Sequence, residues 1–199
     1  MAEQKVQREL ILGGQKSGKS RLAEERARAW LSQSTSHKTV LIATGLAYDE
    51  EMQLRIARHQ VDRLARLPEL RCVEEPSALG EALLAASGAQ TLVVIDCLTM
   101  WLTNLLMPFD DDNFKQKSGI VDTKYALSAV ELIVNLQENL ALVSGPVVIV
   151  SNEIGLGVIP LGREVRQFVD ELGKLNQAIA RQCEQVTLMA AGCGLTIKG

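Results

Sequence analysis

A chain of 199 residues, 47 % apolar and 23 % charged, has the size and composition of one soluble globular domain. Its net charge of −3 argues against a nucleic-acid partner, which would need a basic face. Four cysteines without a C-x-x-C pair or a Cys/His cluster argue against a disulfide framework or a zinc site, so four reduced thiols are expected.

Residues 1–9 are polar and carry no signal-peptide core, and no apolar run reaches the length of a membrane span. The expectation is a cytoplasmic protein with no membrane span, folded as a single domain over residues 1–199. The first apolar run, 10–12, reads as a strand. Gly13, Gly14, Gln15, Lys16, Ser17, Gly18, Lys19 and Ser20 follow it, and a helical segment over 20–31 follows them. Strand, G-x-x-x-x-G-K-[ST] and helix in that order make a P-loop, whose glycines let successive backbone N–H groups face phosphate oxygens. The helix N-terminus adds partial positive charge. Lys19 would reach the β- and γ-phosphates and the Ser20 hydroxyl would hold Mg²⁺.

A second strand is expected at 39–43 and a helix at 49–66. On that helix Met52, Ile56, His59 and Arg63 share a face, with Arg55 one turn before the histidine and Asp62 just under a turn after it. Crowding by Arg55, Arg58 and Arg63 disfavours the imidazolium and keeps His59 in its neutral, nucleophilic form. The same arginines could hold phosphates. Read from spacing alone, a solvated arginine-rich helix on which His59 does nothing is the simpler reading.

Further strands are expected at 71–73, 92–95, 147–150, 186–189 and 195–197, with helices at 77–87, 98–107, 120–143 and 163–183. Asp96 ends the run Leu92–Val93–Val94–Ile95, where a P-loop protein holds Mg²⁺ directly or through water; a helix-capping role is the alternative. The polar stretch 108–119 reads as a surface loop or a lid. Residues 151–160, SNEIGLGVIP, follow a strand, so Asn152 and Glu153 would project into the site unless this is ordinary turn chemistry. On the last helix an Arg166–Asp170 ion pair and close packing at Gly173 are expected. Runs such as LVVID and VVIVS are apolar throughout, as in strands buried on both faces of a parallel sheet. The fold class is therefore three-layer α/β, P-loop NTPase-like, mainly parallel. A C-terminal hairpin turning through Ala191–Gly194 supplies an antiparallel edge strand.

Taken in order, GGQKSGKS, IATG (42–45), DEEMQLRIARH (49–59), VEEP (73–76), DCLTMWLTNLL (96–106), SNEIGLGVIP and RQFVDELGKLNQ resemble one family over nearly the whole chain. It is the bifunctional adenosylcobinamide kinase/adenosylcobinamide-phosphate guanylyltransferase family of cobalamin biosynthesis. The resemblance implies phosphorylation of adenosylcobinamide, then guanylylation through a histidine that falls on His59, giving adenosylcobinamide-GDP. It implies catalytic roles for His59 and Lys19. It implies nucleotide contacts at Gly13 to Ser20, at Ala43, Thr44 and Gly45, at Gln60, Val61, Asp62 and Arg63, and at Glu74 and Asp96. Mg²⁺ would sit on Ser20 and Asp96, with GTP, ATP or both as substrates, a corrinoid as partner molecule, and a homotrimer as the assembly. The chain departs from the family pattern at Lys16, where arginine is frequent, and at Leu70, where tryptophan is frequent. A few additional residues also stand between Arg63 and Glu74. A P-loop kinase for another small molecule would leave the His59 helix idle, and a nucleotide-dependent switch would need responsive surface segments.

Overall fold

The computed structural model describes residues 7–47, 50–107 and 128–199, without the side chains of Arg55, His59 and Leu64. The loop or lid expected at 108–119 and the start of the helix expected at 120 lie outside the described residues.

Seven strands form one sheet in the order β3-β2-β4-β5-β1-β6-β7. They are β1 (Arg8–Gly13), β2 (Lys38–Ala43), β3 (Arg71–Glu74), β4 (Thr91–Asp96), β5 (Val147–Val150), β6 (Gln185–Ala190) and β7 (Cys193–Lys198). All neighbours are parallel except β6 and β7, which are antiparallel. The helices among the described residues are α1 (Lys19–Leu31), α2 (Glu50–Arg66), α3 (Leu79–Ala86), α4 (Leu98–Leu106), α5 (Ala129–Leu142) and α6 (Arg163–Gln182).

The apolar runs of β1, β4 and β5 are buried because helices cover both faces of the sheet. On one face Leu10, Val93, Ile95 and Ile149 pack with Leu83, Trp101, Leu136 and Leu175 from α3, α4, α5 and α6. On the other, Ile11, Leu41, Val94 and Val148 meet Ala23 and Ala27 of α1 and Leu67 and Leu70 of the link from α2 to β3. Ser128 and Glu131 cap α5 reciprocally. Gly80 lets α3 lie against α5: a Cβ there would collide with the Asn135 side chain and stand 3.0 Å from the Leu136 nitrogen.

Three expectations are corrected. The hairpin turn is two residues, Ala191 (φ 50°) and Gly192 (φ 80°), and Cys193 and Gly194 belong to β7. Both φ values are positive, as a tight hairpin twist requires, and the shorter turn leaves more chain for pairing. Gly173 has open space where a Cβ would be, so no close packing explains it. Arg166 gives its Nη1 to the carbonyls of Pro160 (2.9 Å) and Leu161 (2.5 Å) in place of Asp170. The described side-chain ion pair on α6 is Lys174–Glu171 at 2.8 Å.

Candidate nucleotide site

Strand register sets the site. Ala43 stands opposite both Glu74 and Asp96, and Asp96 stands opposite Val150, so the carboxyl ends of β2, β3, β4 and β5 share one edge with the end of β1. The glycine loop leaves β1 at that edge. Gly13 (φ 152°) could not be another residue, because a Cβ would lie 2.5 Å from the Met189 carbonyl oxygen and 2.6 Å from Ser17 Oγ. Lys16 (φ 56°) and Gly18 (φ 104°) are left-handed, and Gly18 caps α1. This alternation curls the chain so that consecutive amides converge, the geometry of an anion nest.

Two neighbours brace the loop from behind. Glu153 N–H donates to the Gly13 carbonyl at 3.1 Å and Gly192 N–H to the Ser17 carbonyl at 3.0 Å. The Lys19 ammonium folds back onto the Gly14 carbonyl at 2.6 Å. Burial pulls its pKa below the ordinary value, against the opposing pull of Cys97 and Asp96. Ser17 Oγ is buried without a described hydrogen-bond partner. A cavity of about 460 Å³ lies against the loop, lined by Gly14, Lys16, Ser17, Glu153, Leu156 and the end of β6. A larger concavity of about 1130 Å³ lies at the opposite ends of the strands, among His37, Lys38, Arg71 and Thr91, away from this chemistry.

The structure brings most of the expected residues to this edge. Arg63 of α2 points Nη2 at Asp96 Oδ2, 3.8 Å away, and Gln60 Nε2 donates to Glu74 Oε1 at 3.0 Å. Thr44 is fixed four ways, its N–H donating to the Asp96 carbonyl at 3.2 Å. Its hydroxyl donates to the Cys97 carbonyl (2.7 Å) and accepts from Cys97 N–H (3.0 Å), and its carbonyl accepts from Asn104 Nδ2 (2.7 Å). Val61 and Asp62 are exposed on α2 and join none of these contacts. Burial, then Asp96, pushes the Cys97 thiol up to about 11, so it stays protonated. His59 lies on α2, and its side chain, with the protonation state expected for it, is outside the described residues.

Asn152 serves the site through its backbone, its N–H donating to Thr99 Oγ1 (2.8 Å) and its carbonyl accepting from Asn176 Nδ2 (3.0 Å). Asn176 Oδ1 also accepts from Ser151 Oγ at 2.7 Å. Glu153 caps its own turn, accepting from Gly155 N–H at 2.8 Å. Sequence reasoning missed Thr99, Asn104, Asn176 and Glu24. Asn104 within LTMWLTNLL, and Asn176 beside Leu172, Leu175 and Ile179, are amides at core positions, a readable sign of a buried polar anchor.

Ser20 and Asp96 are hard oxygen donors on the same edge as Lys19, a donor set that suits Mg²⁺. A strand–glycine loop–helix with a buried lysine and a facing carboxylate defines a P-loop nucleotide-binding protein. The family model described as cobinamide kinase / cobinamide phosphate guanyltransferase matches residues 9–197. The chain belongs to this bifunctional family of adenosylcobalamin biosynthesis. It is 42 % identical over 192 residues to the bifunctional adenosylcobalamin biosynthesis protein CobP of Pseudomonas aeruginosa, covering 96 % of this chain and 98 % of that one. To CobU of Escherichia coli it is 33 % identical over 189 residues, covering 95 % and 98 %. Among solved structures, the flagellar accessory protein FlaH from Methanocaldococcus jannaschii aligns at a TM-score of 0.49 and 10 % identity, over 96 % of this chain and 78 % of that one.

Proposed function

We propose that one P-loop site serves both family reactions, and that the second proceeds through a guanylylated His59. In the first, the aminopropanol hydroxyl of adenosylcobinamide attacks the γ-phosphate of ATP or GTP and the nucleoside diphosphate leaves. In the second, a His59 ring nitrogen attacks the α-phosphate of GTP, the bond to the β-phosphate oxygen breaks, and pyrophosphate leaves. The cobinamide phosphate oxygen then attacks the histidine-bound phosphorus, giving adenosylcobinamide-GDP and free imidazole.

The observation that carries this reading is that α2, the helix bearing His59, is tied by Arg63–Asp96 and Gln60–Glu74 to the strand ends beside the glycine loop. The loop amides from Gly13 to Ser20 hold the phosphates and Lys19 neutralises the phosphoryl oxygens. Arg63 supplies further positive charge, and Ala43, Thr44, Gly45, Gln60, Val61, Asp62 and Glu74 contribute the remaining nucleotide contacts. Ser20 and Asp96 would hold Mg²⁺, which neutralises charge on the triphosphate when bound. The working assembly is a cytoplasmic homotrimer of single-domain chains, which sedimentation equilibrium tests.

The test of the chemistry is incubation with Mg²⁺ and GTP labelled in the α-phosphate. Acid-labile label on the wild-type protein and none on His59→Ala is the expected result. Absent label, or equal label on the variant, overturns the histidine mechanism.

A further inference from the structure

Glu24 is a buried carboxylate on α1, 6 % exposed, in the helix that begins at the glycine loop. A carboxylate is rarely buried unless it is paired, and its partners here come from another helix. Arg66 Nε and Nη2 donate to its two oxygens at 2.7 and 2.9 Å, a bidentate fork, and Arg63 Nε stands 4.0 Å from Oε1. Arg63 then reaches Asp96 with its other nitrogen, at 3.8 Å. One buried acid on α1 thus meets two arginines one turn apart on α2, and one of those arginines touches the carboxylate at the end of β4.

No described side chain of α2 is fully buried. Among the described side chains of α2, the shortest contacts to the rest of the fold are polar. A helix pinned at two points one turn apart is fixed both along its axis and about it. The backbone from which residue 59 springs lies one turn before Arg63 on that same helix.

We propose that Glu24 is a positioning residue for guanylyl transfer: through Arg66 and Arg63 it locks α2 onto the helix behind the glycine loop and so sets the register of residue 59 against the α-phosphate. The proposal rests on the histidine chemistry above. Phosphoryl transfer to the corrinoid depends on the loop and Lys19 and makes less use of α2, so the two activities respond unequally to loss of the lock. A misplacement of about 1 Å at a reacting group lowers a rate by about a hundredfold. Gln at position 24 keeps the shape but loses the charge and one acceptor oxygen, which breaks the fork.

The experiment compares wild type, Glu24→Gln, Arg66→Gln and Glu25→Gln. Glu25 pairs with Arg21 at the exposed surface, at 3.4 Å, and serves as the control. Single-turnover labelling from GTP labelled in the α-phosphate is read beside phosphorylation of adenosylcobinamide, and hydrogen exchange is followed at the amides of residues 50–66. Glu24→Gln and Arg66→Gln should both slow labelling at least about tenfold more than they slow phosphorylation. Exchange should quicken in α2 and stay unchanged in β1 and β4, and Glu25→Gln should match wild type. Labelling at the wild-type rate in Glu24→Gln overturns the proposal, as does an equal fall in both activities. If Glu24→Gln does not fold, Arg66→Gln decides by the same criteria. Failure of the wild type to take up label would overturn the histidine mechanism instead, while the exchange measurement would still decide whether Glu24 locks α2.

Discussion

At Gly13 the backbone turns out of β1 under the Met189 carbonyl, and a single methyl group has nowhere to go. Gly13→Ala is expected to lower stability by about 2 kcal/mol in urea titration and to weaken nucleotide binding with it, since strain and overpacking each contribute on that order. Cys97 makes a different prediction. Burial pushes its thiol from 9.0 up to about 11. The unfolded chain therefore releases that proton first as pH rises. The contribution is intact below pH 9 and is lost on the way to 11, a difference of about 2–3 kcal/mol. Denaturant midpoints followed from neutral to alkaline pH should fall less steeply in Cys97→Ala than in wild type.

At the level of elements, β1, β2, β4 and β5 were legible because continuous apolar runs in a chain of this composition have few other uses, whereas β3 and β7 are short, mixed and exposed and showed only as brief β-type stretches between turn residues. The observed strands exceed those runs by polar residues such as Arg8, Lys38 and Gln185, which join the ladder through backbone bonds that carry no side-chain signature. α3 starts later than its apolar spacing implies because Glu75 captures the amides of Ser77 and Ala78, at 2.9 and 2.7 Å. The site was legible where one motif holds it together, as in the loop. It was illegible where it depends on how two helices are rotated against each other: Glu24 looks like any acid on an amphipathic helix until Arg66, 42 residues away, is seen beside it. Gly80 went unremarked for the same reason. Gly80→Ala should separate α3 from α5 and lower stability by about 1–3 kcal/mol, the range for overpacking, although alanine is the better helix former.

For the whole molecule, the proposal that one site serves both reactions predicts that the two chemistries are separable by mutation in one direction only. Lys19→Ala should impair phosphorylation and guanylylation together, because both need the triphosphate held in the same loop. His59→Ala should abolish guanylylation and spare phosphorylation. Parallel assays with adenosylcobinamide and with its phosphate check this, and loss of phosphorylation on removing His59 would contradict separate roles. β7 pairs the outer side of β6 and is itself the edge strand of the sheet.

The hydrogen bond from Gly192 to Ser17 also has a consequence in time. β1 lies between β5 and β6, so the strand that emerges first from the ribosome waits for neighbours made late in synthesis. The loop that follows it has the sequence of a phosphate cradle from residue 20 onward, yet the hairpin that braces it does not exist until residue 192 has been synthesised. A nascent chain halted before β6 should therefore carry the complete motif and hold no nucleotide. Release of the β6–β7 hairpin from the tunnel would be the event that makes the protein competent, which a series of stalled chains of increasing length can follow by nucleotide retention.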